Sequence, residues 1–176
     1  INETRTGIIE ILKLMGADIT LINEREVGGE WVADIQVNSS QLKGIEIPEH
    51  LVPLAIDEFP VLFVAAACAE GVTVLTGAEE LRVKESDRIQ VMADGLQQLK
   101  VKAEPTPDGM IIRGGEIEGG EVISHGDHRI AMAFAIAGLR SKAPIVIHDC
   151  ENVNTSFPEF VSLAGGLGLD ISQTNG

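Results

Sequence analysis

Two segments of this chain would form helices with no polar side: Val61-Leu62-Phe63-Val64-Ala65-Ala66-Ala67-Cys68-Ala69 and Ile130-Ala131-Met132-Ala133-Phe134-Ala135-Ile136-Ala137. A helix at a protein surface carries one apolar stripe, so helices that are apolar all round belong in an interior. Each follows an aspartate, Asp57 or Asp127, and 70 positions separate the two. Each leads to a short strand-like stretch, Val72-Thr73-Val74-Leu75 or Ile145-Val146-Ile147. A second helix is then expected from near Ser86 and from near Ser156, ending in Leu99-Lys100-Val101 and Leu167-Gly168-Leu169. A partial copy stands at the front, where a helix from about Thr4 to Met15 runs into Gly16-Ala17-Asp18-Ile19-Thr20-Leu21. The reading is two full units and one truncated one, a repeated supersecondary unit rather than a small-repeat solenoid.

The remaining strands alternate, as in Trp31-Val32-Ala33-Asp34-Ile35-Gln36-Val37 and Met110-Ile111-Ile112, which suits sheets with one wet face. Helices inside and sheets outside follow. Asp108-Gly109 and Gly28-Gly29 are hairpin signals, while Gly114-Gly115 and Gly119-Gly120 read as surface loop. The fold class is α+β.

Of the 176 residues 44% are hydrophobic, and 27 Asp and Glu face 13 Lys and Arg for a net charge of −14. That hydrophobic content argues against disorder, and the acidic balance argues against a general nucleic-acid surface. No apolar run approaches the roughly 18 residues of a membrane span. With Ile1 and not Met at the front, an internal segment of a longer chain is expected. Cys68 and Cys150 form neither a disulfide framework nor a zinc signature, which fits a reducing, cytoplasmic setting. His50, His125 and His148 lack metal-ligand spacing, so neither a metal nor a cofactor is expected. Trp31 reads as a packing residue of a sheet or its edge.

An anionic ligand would need a local cation cluster, and the chemistry collects at helix starts. Asp57, Ser86, Asp127 and Ser156 are all helix-capping residue types, and Ser156 with Glu159 fits a capping box. Helix N-termini present free N–H groups and a positive dipole end. Beside two of them stand Arg82, Lys84 and Arg88, and His128 with Arg129. Such a group reads either as a cradle for phosphate and carboxylate or as a solvated turn with internal ion pairs.

Three motifs resolve that choice. Leu81-Arg82-Val83-Lys84-Glu85-Ser86-Asp87-Arg88-Ile89, Asp127-His128-Arg129-Ile130-Ala131-Met132 and Ile56-Asp57-Glu58-Phe59-Pro60 closely resemble the 5-enolpyruvylshikimate-3-phosphate (EPSP) synthases. The likeness runs from Asn2-Glu3-Thr4-Arg5-Thr6-Gly7 to Thr155-Ser156-Phe157-Pro158, with a pattern like that of the class II members. It implies transfer of the enolpyruvyl group of phosphoenolpyruvate to the 5-hydroxyl of shikimate 3-phosphate, with release of phosphate. That is a step of the shikimate pathway toward chorismate and the aromatic amino acids, and the glyphosate target. It also implies two similar domains, each of three βαβαββ units with buried helices and outer sheets. Residues 1–176 would be a portion of the C-terminal domain, and the N-terminal domain of the same polypeptide would be the missing partner.

Carried over by position, the resemblance makes Asp57 the carboxylate that holds substrate hydroxyls and accepts the proton of the attacking 5-hydroxyl. Lys84 becomes a contact to shikimate 3-phosphate, and Glu85 the proton donor to the methylene carbon of phosphoenolpyruvate. Arg88 and Arg129 become the pair that grips the latter's anionic groups, supported by His128. Addition of an alcohol across an enol ether needs an acid and a base at opposite ends of the reacting pair, and fixed cations to offset two anionic substrates. A lysine found in some members before the late Phe-Pro pair is replaced here by Asn154-Thr155-Ser156, and Thr155 receives no role. With one wall of the cleft, the chain alone is expected to turn over little or nothing. Two other readings are a noncatalytic anion-binding scaffold and the related enolpyruvyl transferase that acts on a UDP-sugar.

Overall fold

The computed structural model of the protein describes residues 1–174, and it is α+β with helices α1–α6 and strands β1–β7 in three small sheets. The middle of the chain contains one complete unit. An extended segment at 43–47 bridges in parallel to Glu70 and to Val74 of β3 (Val72–Leu75), with α2 (Phe59–Cys68) crossing between. Then come α3 (Arg88–Gln98) and the hairpin β4 (Lys102–Thr106) and β5 (Gly109–Arg113), and β5 pairs antiparallel with β3. That order is βαβαββ.

On either side lie partial units. Ahead of it are α1 (Gly7–Leu14), β1 (Asp18–Val27) and β2 (Glu30–Asn38). Behind it, β6 (Gly120–Ile123) and β7 (Ile145–His148) pair in parallel across α4 (His128–Ala137), followed by α5 (Asn152–Ser156) and α6 (Phe160–Gly166). The expected second full unit is therefore one hairpin short among the described residues. The sequence offset reads only the helix–strand–helix half, which both copies share.

The helices that end each half-unit stop in the same way. After α1, α3 and α6 the chain enters the left-handed region at Gly16, Lys100 and Gly168, with φ of 95°, 66° and 101°. The amide of the next residue then reaches back over the last turn: Ala17 to Leu12 at 2.9 Å, Val101 to Leu96 at 2.9 Å and Leu169 to Ala164 at 3.0 Å. These are Schellman closures, with lysine in the middle copy where glycine is usual. The repeat is thus stereochemical as well as compositional.

Three expected caps move. Asp57 lies inside a 3₁₀ turn, Pro53–Glu58, that runs directly into α2. Glu58 takes the N-cap position with helical backbone angles and no capping hydrogen bond, because the chain never opens into the extended geometry a cap requires. At α3 the cap is Asp87, whose carboxylate accepts from the Gln90 amide, and Ser86 precedes it. Ser156 closes α5 instead of opening a helix. Pro158 forces Phe157 out of the helical region, α6 starts only at Phe160, and the Ser156–Glu159 capping box does not form. Asp127 caps α4 as expected.

Helices α2, α3 and α4 pack against one another beneath the sheets. Nearly all of α2 is buried, as its composition demands. The hairpin glycines Gly28 and Gly29 take φ of 62° and 86°, joining β1 to β2 by a two-residue turn. Gly114 and Gly119 are not loose surface loop. A Cβ on Gly114 would stand 1.7 Å from the Ala69 carbonyl oxygen, and one on Gly119 would stand 2.6 Å from Ala143 Cβ. Trp31 is 56% exposed on the hairpin and does not pack as expected.

Gly95 decides how closely α3 and α4 approach, since a Cβ there would lie 2.3 Å from the fully buried Phe134 ring. Gly95→Ala gains about 1 kcal/mol of helix propensity but overpacks a core at a cost of roughly 1–3 kcal/mol. The clash should win. Urea denaturation is expected to give a lower midpoint for Gly95→Ala, and a higher one would mean that the helices are not in this contact.

Candidate active site

The beginnings of α2, α3 and α4 meet at one rim, and charged residues from each of the three motifs lie there. Arg88, the first residue of α3, is at its centre with 1% of its side chain exposed. A buried guanidinium needs partners on every nitrogen. Its Nε donates to Asp127 Oδ2 at 2.8 Å, its Nη1 to Asp57 Oδ1 at 3.3 Å and its Nη2 to Glu85 Oε2 at 2.6 Å. One side chain therefore ties together three segments that are far apart in sequence.

Asp127 is fully buried and accepts four hydrogen bonds. Besides Arg88 Nε, the donors are the Ser86 hydroxyl at 3.1 Å and the amides of Arg129 and Ile130 at 3.0 and 3.4 Å. The positive end of α4 and the Arg88 guanidinium both face this side chain. Capping alone was legible in the sequence; the clamp on Arg88 and Ser86 was not, because it spans some 40 residues.

Around this buried pair the other predicted residues gather. Lys84 Nζ bonds the Glu80 carboxylate and stands 3.6 Å from Asp57 Oδ1. Arg129 Nη1 donates to the Asp57 carbonyl at 3.0 Å, and its Nη2 is 4.0 Å from Asp57 Oδ2. Arg5, from the Asn2–Gly7 motif, adds a guanidinium 3.5 Å from Asp57 Oδ2 and 2.9 Å from Glu58 Oε1. Five of the predicted residues, Asp57, Lys84, Glu85, Arg88 and Arg129, share the rim. His128 starts α4 beside them, but among the described residues no hydrogen bond or ion pair joins its ring to the cluster. Arg82 turns away and donates to the Pro107 carbonyl at 2.8 Å and to Asp87 at 2.7 Å, pinning the β4–β5 hairpin.

The cluster is not a plain cationic patch. Its cations are interleaved with Asp57, Glu58, Glu80, Glu85 and Asp127, and carboxylates already occupy the N-termini of α3 and α4. An anion that is to reach Arg88 must displace an internal one, whereas Arg129 is 33% exposed. Glu85, 53% exposed, is the carboxylate placed to yield, while Asp57 at 25% is more enclosed. Burial pushes the Asp57 carboxyl upward, but Arg129, Lys84, Arg5 and Arg88 together outweigh it and hold the group below the usual carboxylate range. The bond to Glu80 raises the Lys84 ammonium above its ordinary value, so it is charged at neutral pH. A cavity lined by Lys100, Lys102 and Arg113 opens elsewhere, along β4 and β5.

Comparison with known proteins identifies the family. The profile of a family described as EPSP synthase (3-phosphoshikimate 1-carboxyvinyltransferase) matches residues 1–163. A 3-phosphoshikimate 1-carboxyvinyltransferase of Methylococcus capsulatus is 70% identical over 171 residues, covering 97% of this chain and 39% of that protein. One of Alkalilimnicola ehrlichii is 69% identical over 173 residues, again covering 39% of the relative. A solved EPSP synthase of Acinetobacter baumannii superposes with a TM-score of 0.94 at 62% identity, over 98% of this chain and 41% of that one. The enolpyruvyl transferase NikO of Streptomyces tendae, at 18% identity and a TM-score of 0.69, shares the fold. The chain thus spans about two fifths of the length of these relatives. From the profile match and the level of identity, the chain belongs to the EPSP synthase family.

Proposed function

We propose that these residues form one wall of the active site of an EPSP synthase, which joins phosphoenolpyruvate to the 5-hydroxyl of shikimate 3-phosphate and releases phosphate. The observation that carries the reading is the convergence of Asp57, Lys84, Glu85, Arg88 and Arg129 on one rim. The opposite wall would come from the N-terminal domain of the same polypeptide, so residues 1–176 alone would turn over little. A cytoplasmic setting, with Cys68 and Cys150 as free thiols, belongs to the same proposal.

In this reading Asp57 takes the proton of the attacking hydroxyl while Glu85 protonates the methylene carbon, and a C–O bond forms at the carbon bearing the phosphate ester. Elimination reverses the proton traffic and expels phosphate. Lys84 faces shikimate 3-phosphate. Arg129 and Arg88 hold the carboxylate and phosphate of phosphoenolpyruvate, Arg88 through the Nη2 that Glu85 gives up as it turns to the substrate. Surrounded by four cations, Asp57 is a weak base; substrate anions offset those cations and make it a stronger one when the hydroxyl is in place. His128, beside Arg129 at the start of α4, keeps a supporting role in this reading by its position alone.

In the full-length protein Asp57→Asn and Glu85→Gln should each lower kcat by roughly 10²–10⁴-fold, the range for loss of a general acid or base. Phosphate release from phosphoenolpyruvate with shikimate 3-phosphate, and with a UDP-sugar in its place, is the assay. Unchanged rates would favour a noncatalytic scaffold, and turnover with the UDP-sugar alone would favour the related transferase. The depressed Asp57 pKa also fixes a pH dependence. Its stabilising contribution is present above its unfolded value of about 3.9 and lost as pH falls through the lower folded value. Between pH 6 and 3, Asp57→Asn should therefore lose less stability on acidification than the parent, read by urea denaturation. An equal loss would show that the cations do not hold this carboxylate.

A further inference from the structure

We propose that Glu58 is a positioning residue which, together with Arg5, holds the Arg129 guanidinium at the rim beside Asp57. The inference rests on the proposed function and extends it to two residues without an assigned role. Glu58 occupies the N-cap position of α2 yet makes no capping hydrogen bond, so its side chain is not explained by the helix it precedes. Instead its Oε1 accepts from Arg5 Nη2 at 2.9 Å and lies 3.7 Å from Arg129 Nη1. Its other oxygen, Oε2, is buried and without a hydrogen-bond partner. A desolvated carboxylate oxygen with no donor is costly, so the carboxylate is kept in place by what its other oxygen, Oε1, does between the two guanidiniums. Arg129 Nη1 is meanwhile held by the Asp57 carbonyl at 3.0 Å, and Arg5 also approaches Asp57 Oδ2 at 3.5 Å.

The four side chains close a ring of alternating charge: Asp57, Arg5, Glu58, Arg129. Two guanidiniums side by side repel, and Glu58 is the carboxylate between them. Without it Arg129 keeps its charge and its bond to the Asp57 carbonyl but loses the second group that fixes its direction. The effect should fall on capture of phosphoenolpyruvate, which Arg129 serves, more than on the proton transfers.

The test uses the full-length protein with Glu58→Gln, which keeps shape and removes charge. The KM for phosphoenolpyruvate should rise about two- to fivefold, the scale of one partly exposed ion pair. The kcat should stay within about threefold, as expected for an interaction that serves binding more than the transition state. The KM for shikimate 3-phosphate should not move. In an Arg129→Lys background the same substitution should add almost nothing, since coupled residues are non-additive. An unchanged phosphoenolpyruvate KM, an equal rise for both substrates, or full additivity with Arg129→Lys would overturn the assignment while leaving the proposed function standing. A parent protein with no turnover of the two substrates would overturn both. Thermal unfolding of each variant identifies a fold defect; if Glu58→Gln unfolds, Arg5→Gln, expected to raise the same KM, decides the assignment.

Discussion

The ion pair between Arg88 and Asp127 is the contact on which the site depends. Both side chains are out of water, at 1% and 0% exposure, and 2.8 Å apart. Removing two charges from water costs several kcal/mol each, and their attraction repays this only with good geometry and further hydrogen bonds. Here those bonds exist: Asp127 also accepts from Ser86 and two helix amides, and Arg88 also donates to Asp57 and Glu85. A buried pair of this kind adds little net stability compared with packed apolar residues. What it fixes is geometry, because it locks the Lys84–Arg88 segment of the central unit to the start of α4 in the next.

The interleaving of acids and bases follows from the same constraint. An acidic protein with a buried guanidinium at its functional rim must balance that charge locally, and several carboxylates do so. In the proposed function, ligand anions that reach Arg88 enter by exchange with an internal carboxylate. That makes specificity a matter of which groups can replace Glu85 and approach Arg129 without leaving a buried charge unpaired. It also links binding to chemistry, because the displaced carboxylate is the proposed proton donor and the neutralised cations are those that weaken Asp57 as a base.

Much of the architecture could be read from residue pattern. Helices without a polar face had to be interior, and the alternation of Trp31–Val37 and Met110–Ile112 had to be strand. The Gly28-Gly29 and Asp108-Gly109 turns were local signals with local causes. The misreadings are those in which neighbouring backbone decides. Asp57 and Ser156 have the chemistry of caps, but a 3₁₀ entry and a Phe157–Pro158 break remove the geometry. Of the site, the motifs supplied Asp57, Lys84, Glu85, Arg88 and Arg129. They could not supply the Asp127 clamp or the Arg5–Glu58–Arg129 link, which join residues 39 to 71 positions apart and exist only once α1, α2, α3 and α4 have packed.

In the proposed function this rim receives both anionic substrates. A crystal structure of the full-length protein with shikimate 3-phosphate and phosphoenolpyruvate bound tests it most directly. Phosphate or carboxylate oxygens of phosphoenolpyruvate should lie within hydrogen-bond distance of Arg129 and Arg88, the sugar hydroxyls should face Asp57 and Lys84, and Glu85 should have left Arg88. Ligands held elsewhere, with Glu85 still seated on Arg88, would contradict the account.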